Sequence, residues 1–189
     1  MKPLGSRCVC AFVQSIQRYE RPRNDWGAPL EGLLGLDPAV RTFWTRGRQE
    51  ILQAGPRIAV VGSRSPTAYG RNQALRFAGA LARAGCVVVS GLARGVDGIA
   101  HQAVLDEGGA TIGVLGCGVD QPWPTGDLTE RMTQEGLLFS EFEPGVSPRR
   151  HHFPMRNRII AALCDATLVI EAAHRSGSLI TARWAADLG

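Results

Sequence analysis

Short apolar runs alternate with longer amphipathic stretches along most of this chain, starting after Gly55 and Pro56. Each run is too short for a helix, and its continuous apolar character is typical of parallel strands that are buried on both faces. Glycine ends several of the longer stretches, as it does at helix C-termini. Five βα units in series therefore predict a doubly wound parallel α/β sheet with right-handed crossovers. The predicted strands are 58–61, 86–89, 111–115, 137–140 and 167–170, and the predicted helices are 70–84, 96–107, 128–134, 154–163 and 177–188.

The chain divides into three predicted parts. Residues 1–25 lack helical or strand periodicity and carry five basic residues against two acids, so we expect a loosely ordered basic arm. Residues 26–56 combine apolar residues with Pro38 and Gly47, which favours a lead-in of short helices packed on the core. Residues 57–189 form the α/β domain. A sixth strand would follow the fifth helix in such a fold, so we expect a C-terminal truncation and a sheet edge that is bare or borrowed from a partner.

Composition excludes several classes of protein. The sequence is 44% hydrophobic and 20% charged, which is typical of folded soluble domains rather than disordered chains. No apolar stretch approaches the ~18 to 20 residues of a membrane-spanning helix, so no membrane contact is expected. The five cysteines lack Cys-x2-Cys spacing and the N-terminus lacks a signal-cleavage site, which favours a cytoplasmic protein with reduced thiols. The net charge of +4 permits an anionic partner without requiring one.

Glycine-containing loops follow four of the five predicted strands. Ligands of open parallel sheets bind beyond the carboxyl ends of the strands, where glycine lets a phosphate approach the backbone. The dinucleotide fingerprint and the P-loop motif are both missing, so no nucleotide cofactor is expected, and His151-His152 lacks the partners of a metal site. The candidate anion-binding residues in the first two loops are Gly62, Ser63, Arg64, Gly91 and Arg94. Arg64 and Arg94 could also be ordinary surface residues.

The segment 149–158 carries the strongest functional signal. It holds four arginines, two histidines and one phenylalanine without an acid. Pro154 favours the first helical position, which predicts that Phe153 occupies the N-cap and projects from the loop. Arg156 then falls in the first turn, where the helix dipole favours acids, so the segment is typical of a site that binds an anion. The alternative is a solvated basic loop with Phe153 buried in the core.

Positive charge beside an exposed ring favours single-stranded nucleic acid, whose phosphates contact arginine while a base stacks on the aromatic face. The start of the last predicted helix offers a further polar group, which could cap that helix or hold a phosphate. It consists of Ser176, Gly177 and Ser178. Asp97 is expected to brace its loop or cap its helix, and His101 to pack within a helix.

Several motifs occur in a defined order along the chain. They are Gly62-Ser63-Arg64, 90–101, 114–120, Ser140-Glu141-Phe142, 153–161 and 176–182. From about residue 38 to 189 the sequence thereby resembles the bacterial DNA-processing protein A family (DprA, also called Smf). The resemblance implies a Rossmann-like, non-enzymatic protein of natural transformation that binds and protects incoming single-stranded DNA and helps load the RecA recombinase. It also implies a homodimer for the full-length protein.

The resemblance also assigns roles to individual residues. Arg64 matches a DNA-contacting arginine, Arg150 a phosphate contact and Phe153 a base-stacking aromatic. Asn157 and Arg158 fall in the segment that shapes the same pocket. Two alternatives stay open: a phosphoribohydrolase-like enzyme of similar fold, although its Pro-Gly-Gly-x-Gly-Thr-x-x-Glu motif has no counterpart here, and a module that binds a free nucleotide.

Overall fold

A computed structural model of the chain describes residues 15–20, 28–174 and 176–189. In this part of the chain a sheet of seven strands has the order β1-β2-β6-β5-β4-β3-β7. The five strands from β6 to β7 run parallel, and β1 and β2 are antiparallel additions at one edge. The doubly wound α/β prediction is therefore confirmed. The strands are β1 Gln17–Glu20, β2 Thr42–Gly47, β3 Arg57–Gly62, β4 Val87–Ser90, β5 Thr111–Val114, β6 Leu137–Ser140 and β7 Ala166–Ile170.

Helices cover both faces of this sheet. Alternate strand residues pack on opposite layers, so Val60 lies in the cluster of α2 and α3, whereas Val61 shares a cluster with Ile159 of α5. The helices are α1 Ala28–Glu31, α2 Ala68–Arg83, α3 Val96–Asp106, α4 Asp127–Gln134, α5 His152–Ala162 and α6 Gly177–Leu188, with 3-10 turns at Gly32–Gly35 and Gln49–Gln53. Within the described ranges, no helix is both long and apolar enough to cross a membrane.

The N-terminal part differs from the prediction. Residues 42–47 were expected among short helices but form β2, because Phe43 packs on Phe139 with ring centroids 4.5 Å apart while Trp44 is buried on the opposite face. Burial on both faces removes the alternation that marks a strand. Residues 17–20 of the predicted loose arm form β1, and Tyr19 stacks on Phe43 at 4.7 Å. The remainder of that arm, 1–14 and 21–25, lies outside the described residues.

The order of the parallel strands determines where a ligand can bind. β3 lies between β4 and β7, and it leads into α2 on one face while β7 leads into α6 on the other. The two connections diverge and leave a crevice beyond the carboxyl ends of these strands. Gly62 ends β3 without a side chain because a Cβ atom there would collide with the carbonyl oxygen of Ile170 and lie 2.8 Å from Val96.

Candidate nucleic-acid interface

A crevice of about 920 Å³ opens at this switch point, and all five βα loops contribute to its walls. The sequence had indicated the same loops from the carboxyl ends of the predicted strands. Most of the predicted site residues line it together, namely Gly62, Ser63, Arg64, Arg150, Phe153, Arg156, Asn157, Ser176, Gly177 and Ser178. Gly91, Arg94 and Arg158 do not line it.

Three exposed arginines line the crevice. In the described part of the chain, Arg64, Arg149 and Arg150 have no carboxylate within ion-pair distance. Arg94 is likewise exposed and unpaired there, although it lies outside the crevice. Guanidinium groups that are solvated and unpaired can bind phosphate oxygens without first breaking an internal ion pair. The three crevice arginines therefore give its rim a positive charge that suits an anion.

The loop that carries Arg64 is held in place by its neighbours. The carbonyl oxygen of Ser63 accepts the N–H of Val96 at 3.0 Å, and the Glu171 carboxylate accepts the N–H of Thr67 at 2.7 Å. The hydroxyl of Thr67 also donates to Glu171, and these bonds hold the pKa of that carboxyl below its usual range. Arg64 thus projects from a braced loop, which reduces the entropy lost when an anion binds.

Phe153 lies in the crevice wall, but its backbone differs from the prediction. α5 begins at His152, so Phe153 is in the first helical turn rather than at the N-cap, and Pro154 is the third helical residue. Proline is tolerated there because the first N–H groups of a helix have no intrahelical partner. The Phe153 ring is half-buried and contacts Trp123, with centroids 5.3 Å apart and planes at 49°. The ring faces the crevice and is not enclosed in the core.

His152 fixes the early start of α5. Its buried ring bonds the carbonyl oxygen of Gly116 through Nδ1 at 3.0 Å and stacks on Phe142 with centroids 4.2 Å apart. Its N–H donates to the carbonyl oxygen of Arg149 at 3.0 Å, so a turn leads directly into the helix. The helix start still lacks a side-chain cap and an acid in its first turn, as the sequence indicates.

Arg156 differs from the expectation of a cation that waits for an anion. It is buried at the bottom of the crevice, and its guanidinium donates to the carbonyl oxygens of Val114 and, at 2.8 Å, Gly91. Burial lowers its pKa to about 10, the positive charge of Arg64 adds to this effect, and Asp97 opposes it. Arg156 joins α5 to the ends of β4 and β5 because a buried guanidinium must satisfy its donors.

Asp97 and Gly91 complete this buried arrangement. The Asp97 carboxylate accepts the N–H of Gly91 at 3.1 Å, and burial raises its pKa although Arg156 opposes the shift. Asp97 therefore braces its loop, as expected. A Cβ atom on Gly91 would lie 2.5 Å from Arg156 Nη2 and 2.7 Å from Asp97 Oδ2. Gly91 makes room for these two side chains, whereas the sequence had suggested that it lets a phosphate approach.

Arg158 was expected to shape the pocket but lies beneath the surface. Its side chain is 5% exposed and forms an ion pair with Glu141, which follows β6 and is 15% exposed. Within the described residues, Arg158 Nη1 and Glu141 Oε1 have no further partner. Burial raises the pKa of Glu141 while Arg158 opposes that shift. The pair ties α5 to the sheet, and its guanidinium cannot reach a ligand in the crevice.

The wall formed by α6 is polar and uncharged. Asn157 donates from Nδ2 to the carbonyl oxygen of Gly177 at 3.1 Å, and the hydroxyl oxygens of Ser176 and Ser178 lie 2.7 Å apart. Ser176 occupies the N-cap but makes no side-chain cap hydrogen bond. This wall offers hydroxyl groups and a helix start to an anion in the crevice.

Sequence reasoning missed several residues of the crevice. Trp123 and Pro148 line it, as does Asp97, and Arg149 stands beside Arg150. The signal for Trp123 was available, because an aromatic residue between Pro122 and Pro124 is expected in a loop rather than in a strand or helix. In the ranges that the structure covers, no group of three His, Cys, Asp or Glu side chains is placed to hold a metal ion.

The fold and the crevice together define a Rossmann-like α/β protein with a cleft of arginines and aromatic rings at the switch point of its sheet. The sequence model of the family described as DNA recombination-mediator protein A matches residues 24–189. The chain belongs to this family, and the resemblance stated from the sequence motifs is confirmed.

Known relatives agree with this assignment. A Mycobacterium tuberculosis relative named for DNA processing is 48% identical over 158 residues, which cover 82% of this chain and 40% of the relative. The solved structure of Helicobacter pylori DNA processing protein A, described for its single-stranded DNA binding mode, has a TM-score of 0.82 and 30% identity over 93% of this chain and 78% of that one. The structure of Streptococcus pneumoniae DNA processing protein A has a TM-score of 0.83 and 37% identity, and the match covers 93% of this chain and 61% of that one. The chain thus spans less than half of its mycobacterial relative.

Proposed function

We propose that this chain binds single-stranded DNA in the crevice, with little dependence on sequence and without catalysing a reaction. The observation that carries the proposal is that Arg64, Arg149 and Arg150, which form no ion pair with any described residue, lie in the same crevice as the Phe153 ring. Guanidinium groups bind the phosphates of any sequence, and an aromatic face stacks on any base.

A single strand fits this arrangement better than a duplex does. The Phe153 ring lies in the crevice wall and is half-buried, so a base must leave its own stack to reach it. An unpaired strand presents such bases freely, whereas a duplex must first be unpaired and unstacked at a cost of a few kcal/mol. The single-stranded DNA binding mode described for the Helicobacter pylori relative supports the same choice.

The wider role is proposed from family membership. We infer that the full-length protein acts in the cytoplasm during natural transformation, where it protects incoming single-stranded DNA and helps load the RecA recombinase. We also infer that the full-length protein is a homodimer. Family membership supports these proposals, and the crevice supports the DNA-binding step on which they depend.

Binding of fluorescein-labelled oligo(dT) by fluorescence anisotropy tests the DNA-binding step. Phe153→Ala removes a stacking contact worth about 1 to 3 kcal/mol, so affinity falls about 5-fold to 150-fold. Arg64→Ala removes a phosphate contact and also weakens binding. Arg76→Ala is the charge-matched control, because Arg76 is exposed on α2 and outside the crevice. Equal affinities for the wild type and the two crevice variants would overturn the proposal.

A further inference from the structure

Trp123 is an exposed aromatic residue in the wall of the crevice, and neither the motifs nor the family resemblance gave it a role. The residue is 42% exposed, and it lines the crevice with Phe153. A single exposed aromatic residue is common on protein surfaces and carries no meaning alone. Here the exposed indole contacts the ring proposed to stack on a base, and it lines the same crevice as Arg149 and Arg150.

We propose that Trp123 is a second base-contacting residue, so that Trp123 and Phe153 together hold two consecutive bases of a single strand. This inference rests on the proposed function and extends it, because it sets the number of bases that the crevice contacts. The chemistry required of the ligand is a flat, unpaired base next to a phosphate that reaches the arginine rim.

The ring geometry determines how the bases bind. The Trp123 and Phe153 centroids are 5.3 Å apart, within the 4.5 to 7 Å range of aromatic rings in direct contact, so a base does not fit between them. The planes meet at 49° and therefore present differently oriented faces. Adjacent bases of a flexible strand can each stack on one face, whereas the parallel bases of a duplex cannot follow such an angle.

Hydrogen bonds on both sides of Trp123 hold its loop in position. On the N-terminal side, the carboxylate of Asp120 accepts the N–H of Gly145 at 2.9 Å, and the N–H of Gly118 donates to the carbonyl oxygen of Val146 at 2.8 Å. On the C-terminal side, the hydroxyl of Thr129 donates to the carbonyl oxygen of Pro124. A ring on a braced loop loses little conformational entropy when a base stacks on it.

Three variants test the assignment with the same labelled oligo(dT). Trp123→Ala is expected to weaken binding about 5-fold to 150-fold, the range measured for loss of one base stack, and Trp123→Phe to restore most of the lost affinity. Phe77→Ala is the matched control, because Phe77 is 41% exposed on α2 and lies outside the crevice. Far-UV circular dichroism and thermal unfolding of each variant establish that it is folded.

Tryptophan emission supplies a readout that a purely structural role would not change. A base stacked on the Trp123 indole quenches its emission, so saturation with unlabelled oligo(dT) should quench the wild type. The quenching should be lost in Trp123→Phe even though that variant still binds. A full emission change in Trp123→Phe would show that the signal comes from another tryptophan and would overturn the assignment.

The outcomes separate this inference from the proposed function. Wild-type affinity in Trp123→Ala together with weak binding by Phe153→Ala would overturn the role of Trp123 and leave the crevice as the binding site. Equal weakening by Trp123→Ala and Trp123→Phe would show that stacking is not the contribution of Trp123, and would also overturn the inference. Failure of the wild type to bind oligo(dT) would overturn the proposed function itself.

Discussion

His101 is buried in α3, one turn after Asp97, and its environment makes the stability of the domain depend on pH. The hydroxyl of Thr111 donates to the carbonyl oxygen of Val88 at 2.8 Å, so the 2.7 Å contact with His101 requires a proton on Nδ1 of the ring. Nε2 is buried and has no partner among the described residues. The neutral ring thus makes its hydrogen bond through Nδ1, and a second proton, on Nε2, would have no acceptor among the described residues.

The size of the effect follows from the difference between the pKa values of the His101 imidazole in the unfolded and folded states. Burial lowers the pKa of His101 from 6.5 to about 3, and the charge of Arg156 adds to the shift. Because the folded state binds the proton less tightly than the unfolded state, the contribution of His101 is present above pH 6.5 and is lost as the pH falls towards 3. Each pH unit in this window costs about 1.4 kcal/mol, so acidification to pH 5 removes about 2 kcal/mol.

Urea unfolding of the wild type and His101→Asn at pH 7 and pH 5 measures this loss. Asparagine keeps an amide donor for Thr111 but does not titrate. Between pH 7 and pH 5, the free energy of unfolding should therefore fall by about 2 kcal/mol less in the variant than in the wild type. The raised pKa values of Asp97 and Glu141 act in the opposite direction, but both carboxyl groups are common to the two proteins. Equal pH-dependent losses would refute the reasoning.

Other parts of the structure give further predictions. Glu141→Gln leaves the buried charge of Arg158 unpaired, so calorimetry should show that the free energy of unfolding falls by about 3 to 5 kcal/mol. Replacement of both residues by apolar ones should cause a smaller loss. Thr67→Ala removes the side chain that accepts the N–H of Gly70 at the start of α2, which should lower the free energy of urea unfolding by about 1 kcal/mol. If about four phosphates are neutralised, a plot of the logarithm of oligo(dT) affinity against the logarithm of salt concentration should have a slope near −3. Arg64→Ala should reduce the magnitude of this slope by about 0.7, because one phosphate contact is lost.

Much of the fold could be predicted because the parallel strands are short and apolar, and because most of them lead into loops that contain glycine. The predicted strand 137–140 and helix 177–188 have the observed bounds. β2 was missed because Phe43 and Trp44 are buried on opposite faces, and a strand without alternation looks like any apolar segment. Its pairing with β6 also depends on residues about a hundred positions further along the chain, which local patterns do not contain.

The arginines show what sequence alone could not decide. Arg150 and Arg156 belong to one basic segment, but Arg150 is exposed whereas Arg156 is buried on the carbonyl oxygens of distant strands. Arg158 likewise depends on Glu141 from another element. Which guanidinium groups stay free for a ligand is set by tertiary partners, and residue type carries no information on them.

Affinity as a function of ligand length tests the central proposal, a strand bound in the crevice, most directly. The wild-type chain is titrated with dTMP and with oligo(dT) of increasing length. Affinity should rise steeply over the first few nucleotides, because each added phosphate and base reaches a new arginine or ring. It should level off when the crevice is filled. A site for a free nucleotide would instead be saturated by dTMP with no gain from longer oligomers, and that result would contradict the account.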